Sequence, residues 1–209
     1  MSILAKKILV MPFHKIYLLG FMILIFLLVF VVRSFLLWKR TGINPWALKN
    51  SYDAKGFIAI IFKTIGFIAF LSVTIYVFGG EWYEYLMPIW YLENQIIQNV
   101  GWVIIHLSLV CIFIAQLQMK DSWRIGIDEE NKTELITNGL FQYSRNPIFL
   151  GVILSNLGLF MIIPNSGTLL VLVLSYFSIQ IQIRLEEEFL QKQFGIEYSG
   201  YCKKVKRWI

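Results

Sequence analysis

Five apolar runs constrain this chain more than any other feature: 16–38, 57–78, 96–117, 147–163 and 168–183. Each is close to or above the roughly 20 residues that a helix needs to cross a hydrocarbon core of about 30 Å. In lipid every backbone polar group must be satisfied within the protein, so a run of this length folds as a helix. The expected fold is therefore all-α, a polytopic membrane protein with about five transmembrane helices in a single domain, residues 1–209. A four-residue turn, 164–167, joins the last two runs and makes them an antiparallel hairpin. The rest of the composition agrees. Hydrophobic residues make up 57% of the chain and charged ones 15%, against about a quarter charged in a soluble domain. Lys6, Lys7 and Lys15 resemble the basic start of a signal peptide. The apolar run behind them is too long for one and lacks a small-x-small cleavage site, so a retained helix is expected.

The cations set the expected orientation. Lys39, Arg40, Lys49 and Lys55 fall in the first loop, Lys120, Arg124, Lys132 and Arg145 in the third, and Lys203, Lys204, Lys206 and Arg207 in the tail. These segments should face the cytosol, in a cell inner membrane. Glu81, Glu84 and Glu93 mark the second loop as the outer one. The basic stretch 42–55 offers room for a short interfacial helix. A net charge of +6 spread over loops gives no groove-sized patch for nucleic acid. Two distant cysteines give no disulfide framework, and no metal is expected.

Two features carry possible chemistry. Asn138-Gly139 marks a turn, and Arg145-Asn146-Pro147 then opens the fourth run through a polar collar. In the last run Ser175, Ser178, Gln182 and Glu186 recur at helical spacing, so they share one face that ends in Glu186-Glu187-Glu188. Because the hairpin turn is short, the collar and the acidic triplet lie at the same end. Such a stripe is either a packing seam with a solvated acidic cap or the wall of a pocket, and periodicity leaves both open. His106, midway along the third run, is likewise either a functional group or a neutral histidine bonded to a neighbouring helix.

Taken in order, these residues resemble the integral-membrane methyltransferases of the isoprenylcysteine carboxyl methyltransferase and phospholipid N-methyltransferase group. The matching pieces are 135–141, then Arg145-Asn146-Pro147-Ile148-Phe149-Leu150-Gly151, and beyond the hairpin Glu186-Glu187, Leu190, Phe194-Gly195, Tyr198 and Tyr201. The resemblance covers 118–209, a methyltransferase-like cofactor-binding region, and leaves 1–117 less matched. It implies S-adenosylmethionine-dependent methylation of a lipid or other hydrophobic small molecule. It also implies that Thr133, Glu134, Leu135, Ile136, Phe141, Asn146, Pro147, Ile148, Phe149 and Glu186 hold the cofactor. Glu186, Glu187 and Arg145 are the expected catalytic groups, with Gln182 and His106 toward the substrate. Three departures stand out: Asn146 replaces the family's histidine, Phe141 and Phe149 replace tyrosines, and Gln182 stands where the carboxyl methyltransferases place an arginine. The missing arginine argues against a prenylcysteine carboxylate as acceptor. An NADPH-dependent membrane reductase and a non-enzymatic helical membrane protein are the competing readings.

Overall fold

The computed structural model describes residues 13–45, 54–126 and 134–209. Among them there is no β-strand, and four helices are long and apolar enough to cross a membrane. These are α1 (Phe13–Thr41), α2 (Ala54–Phe78), α3 (Gln95–Met119) and α5 (Ser166–Phe194). Helix α4 (Pro147–Ile162) is the fifth apolar helix, and α6 (Ile196–Lys204) follows α5. The chain is an integral membrane protein of all-α class. Position Thr133, expected at the cofactor site, and most of the stretch expected to hold an interfacial helix lie outside the described residues.

Local sequence explains where these helices start and stop. Asn94 caps α3 by accepting from the Ile96 amide at 2.8 Å, and Asn165 with Thr168 forms a reciprocal capping box at the start of α5. Pro147 occupies the first turn of α4, where its missing amide hydrogen costs nothing. Gly42 ends α1 in the left-handed conformation, with φ +72°.

Helix α4 keeps to its expected run within one residue, whereas α5 outlasts its own. Helix α4 has 16 residues, about 24 Å of rise, which falls short of the roughly 30 Å of a hydrocarbon core. Helix α5 does not stop at Ile183 but runs unbroken to Phe194. No glycine or proline lies between Ile183 and Gly195, and the pairs Gln180–Arg184, Gln182–Glu186 and Glu188–Lys192 brace successive turns. Helix α1 also contains a π-helical stretch, Leu27–Val32, without proline or glycine. Its cause is tertiary. The Gln116 amide of α3 donates to the Val29 carbonyl at 3.2 Å, while Arg33 reaches back to the Gln116 and Lys120 carbonyls at 3.0 and 2.6 Å. This reciprocal brace fastens α1 to the end of α3.

Helices α3 and α4 form the tightest pair, and small residues permit it. A Cβ on Gly158 would lie 2.9 Å from the Gly101 carbonyl, and one on Gly151 would meet Ile112 at 2.5 Å. Close backbone approach of this kind is how helices associate without a hydrophobic driving force between them.

The loops sort to two ends. At one, Ile89 donates to Pro164 and Ser166 to Leu86, so the acidic loop lies on the hairpin turn. Lys15 joins them by a bond to the Tyr76 carbonyl. Exposed Trp82, Tyr85 and Trp90 belong to this end, as expected of an aromatic interfacial belt. At the other end lie the Arg40–Asp121 ion pair, the collar and the basic tail.

Candidate functional site

The hairpin brings the collar and the acidic triplet to one level. Asn156 of α4 donates to Ser175 of α5 at 2.8 Å. From that pair, Asn146 lies ten residues along α4 and Glu186 eleven along α5, so each is about 15 Å further toward the same end. The polar stripe faces inward: Ser175, Ser178 and Gln182 are all buried.

Three consecutive glutamates meet three different fates there. Glu188 is exposed and pairs with Lys192 at 2.6 Å. Glu187 is clamped. Arg207 engages both its oxygens, Nε to Oε1 at 3.0 Å and Nη2 to Oε2 at 2.6 Å, and Arg145 adds a contact at 3.3 Å. Glu186 is half-buried, and its one hydrogen bond among the described residues comes from Gln182 Nε2 at 2.8 Å. No ion pair reaches Glu186 among those residues. A carboxylate removed from water without a counter-cation is costly unless a ligand supplies one.

The collar is built from loop 134–146 and held from both sides. Gly139, at φ +61°, packs so closely on the Gln118 amide that any Cβ would collide with it, and Gln118 accepts from the Leu140 amide at 2.9 Å. The Asn138-Gly139 signal therefore reflects both backbone handedness and contact. Ser122 accepts from the Glu134 amide. Leu135 packs against Tyr198, Tyr201 and Val205. Tyr201 donates to the Phe141 carbonyl at 2.6 Å, and burial pushes its hydroxyl up to about 12, so it remains a donor. Asn146 does not cap α4 with its side chain. It donates instead to the Arg207 carbonyl at 3.1 Å, and the first-turn amides of Ile148 and Phe149 stay free of side-chain capping.

The structure thus gathers Arg145, Asn146, Glu187 and Arg207, with Gln182 and Glu186 beside them. His106 sits elsewhere, where α3 meets α1. Its Nδ1 lies 2.7 Å from the Trp102 carbonyl and its Nε2 2.7 Å from the Tyr17 hydroxyl, with Phe21 against the ring. Among the described residues no hydrogen bond or ion pair links it to Gln182 or Glu186. Arg184 points away and bonds the Gln180 carbonyl. Sequence reasoning overlooked Arg207, which counted only as one charge of a basic tail. No periodicity connects it to Glu187, because the Gly195 turn intervenes.

Residues 96–197 match the family model described as phospholipid methyltransferase. The match opens at the start of α3 and closes just inside α6, so it includes the hairpin, the collar and the glutamate triplet. Comparison with curated proteins gives no match.

Proposed function

We propose that this chain, whose residues 96–197 match the phospholipid methyltransferase family model, transfers methyl groups from S-adenosylmethionine to a neutral lipid acceptor. The observation that carries the reading is Glu186, a half-buried carboxylate with no cation beside it among the described residues, at the mouth of the family's matched hairpin. The residues present fit such a cofactor. Glu186 would hold its positive charge, and the uncapped amides at the start of α4 would take its carboxylate. When bound, S-adenosylmethionine supplies an electrophilic methyl group on a positively charged sulfur. Gln182 orients the Glu186 carboxylate, and the apolar walls of α4 beyond the collar keep water from the reacting atoms.

Acceptor chemistry follows from what is absent from the collar. Gln182 brings no cation for a substrate carboxylate, and its amide is engaged by Glu186. An amine acceptor must arrive unprotonated. Asn146 is no base, both Glu187 oxygens are occupied by guanidinium groups, and both His106 ring nitrogens have partners. The proton therefore leaves to water. With a lipid amine as acceptor, the rate should rise about tenfold per pH unit below the amine's own pKa, and farnesylcysteine analogues should turn over poorly. Efficient methylation of a prenylcysteine would overturn this acceptor assignment and point to Arg145 as the carboxylate's partner.

Calorimetric titration of the purified protein in nanodiscs tests the whole reading. S-adenosylmethionine should bind and NADPH should not; NADPH binding alone would return the reductase reading. Orientation is a separate matter, argued from the basic collar and tail. Glu84→Cys should react with an impermeant thiol reagent added to intact cells, whereas Tyr143→Cys, also exposed, should react only after permeabilisation. Labelling of Tyr143→Cys from outside would place the site on the wrong face for a cytosolic cofactor.

A further inference from the structure

The last residues of the chain lie beyond the matched segment, yet they return to its centre. The Lys206 carbonyl accepts from the Arg145 amide at 3.0 Å, and the Arg207 carbonyl accepts from Asn146 Nδ2 at 3.1 Å and from Ser144 Oγ at 3.4 Å. In the opposite direction the Arg207 guanidinium forks onto Glu187. Loop, tail and α5 are thereby tied together at three consecutive collar residues, 144–146, and one glutamate. Two further contacts seat α6 so that the tail can reach: the Tyr201 bond to Phe141 and the cluster of Tyr198, Tyr201 and Val205.

We propose that Arg207 is a positioning residue of the cofactor site. It straps the tail across the collar, fixes Asn146 at the start of α4, and immobilises Glu187 so that Glu186 alone of the triplet remains free for a cation. The geometry supports a fixed role over a mobile surface pair. The Glu187 side chain is 18% exposed, the contact is bidentate, and the neighbouring Arg145 converges on the same carboxylate. Pairing with Glu187 also raises the Arg207 pKa above its ordinary value, so the strap carries its charge across the physiological range. Lysine could supply the charge but not the fork.

This proposal rests on the S-adenosylmethionine reading, and two measurements separate their fates. The first is calorimetric binding of S-adenosylmethionine to wild type, Arg207→Gln, Glu187→Gln and the double variant. Arg207→Gln should weaken binding roughly ten- to a hundredfold, as when one partner of a largely buried ion pair is removed. The double variant should be no weaker than the worse single one, because the two side chains act as a unit. In turnover assays KM for the cofactor should rise while kcat at saturation is kept, a split that a general loss of folded protein would not produce. The second is amide hydrogen exchange over residues 141–150 without ligand, which should quicken in Arg207→Gln and hardly change in Lys203→Gln. Wild type that binds no S-adenosylmethionine overturns the functional reading and the positioning role with it. Wild-type binding together with undiminished binding in Arg207→Gln, or additive losses in the double variant, overturns the positioning role alone.

Discussion

Glu186→Gln is expected to weaken S-adenosylmethionine binding roughly ten- to hundredfold, while Glu188→Gln leaves it unchanged. Glutamine retains an oxygen to accept from Gln182, so the substitution removes charge and little else. A charge-assisted contact in a partly buried site is worth about 1.5–3 kcal/mol, which sets the expected range. Glu188 is the natural control. It is exposed, committed to Lys192, and one residue further than the clamped Glu187. Calorimetry measures the affinities, and circular dichroism confirms that the helices persist. Losses of equal size from both variants, or none from Glu186→Gln, would remove Glu186 from the site. A loss confined to Glu186 would be distinct from the Arg207 effect, since no hydrogen bond or ion pair among the described residues joins those two side chains.

Much of this arrangement is legible in the residues, because the relevant signals are local. Hydropathy locates the spans, the 164–167 turn dictates an antiparallel pair, and spacing puts Ser175, Ser178, Gln182 and Glu186 on one face, the first three of them buried. What stays hidden depends on contacts between distant segments. The π-helical turn in α1 owes its place to Gln116, 87 positions away from Val29. The persistence of α5 past the apolar window is a matter of side-chain pairs that hydropathy does not count. Most consequentially, the three glutamates look equivalent in sequence. Their difference is created by Arg207 and Arg145, which single out Glu187, and by Lys192, which occupies Glu188. Histidine 106 illustrates the converse. An intramembrane ionisable residue invites a functional reading; the structure adds two hydrogen bonds and a stack on Tyr17 that hold it between α1 and α3.

The other large effect is expected from Gly158→Leu, far from any charged group. A Cβ at this position would lie 2.9 Å from the Gly101 carbonyl and 3.1 Å from both the Ile105 amide nitrogen and its Cβ. Those neighbours are mostly backbone, which cannot swing aside as a flexible side chain could. The helices must separate, and overpacking of a close contact typically costs about 1–3 kcal/mol, with more expected for a branched side chain against backbone. Position 66 provides the contrast: a Cβ there meets nothing within 4 Å, so Gly66→Ala should be neutral or slightly stabilising. Separation of α3 from α4 also reaches the site. Helix α4 begins at Pro147, directly after Asn146, while Gln118 near the end of α3 holds the Leu140 amide, so the collar hangs from both. Gly158→Leu should therefore lower the thermal midpoint in detergent and weaken S-adenosylmethionine binding even in the fraction that remains folded. Unchanged stability would show that the seam tolerates expansion. Reduced stability with full affinity would show that the collar is positioned by the loop and tail alone, which makes the Arg207 strap its principal support.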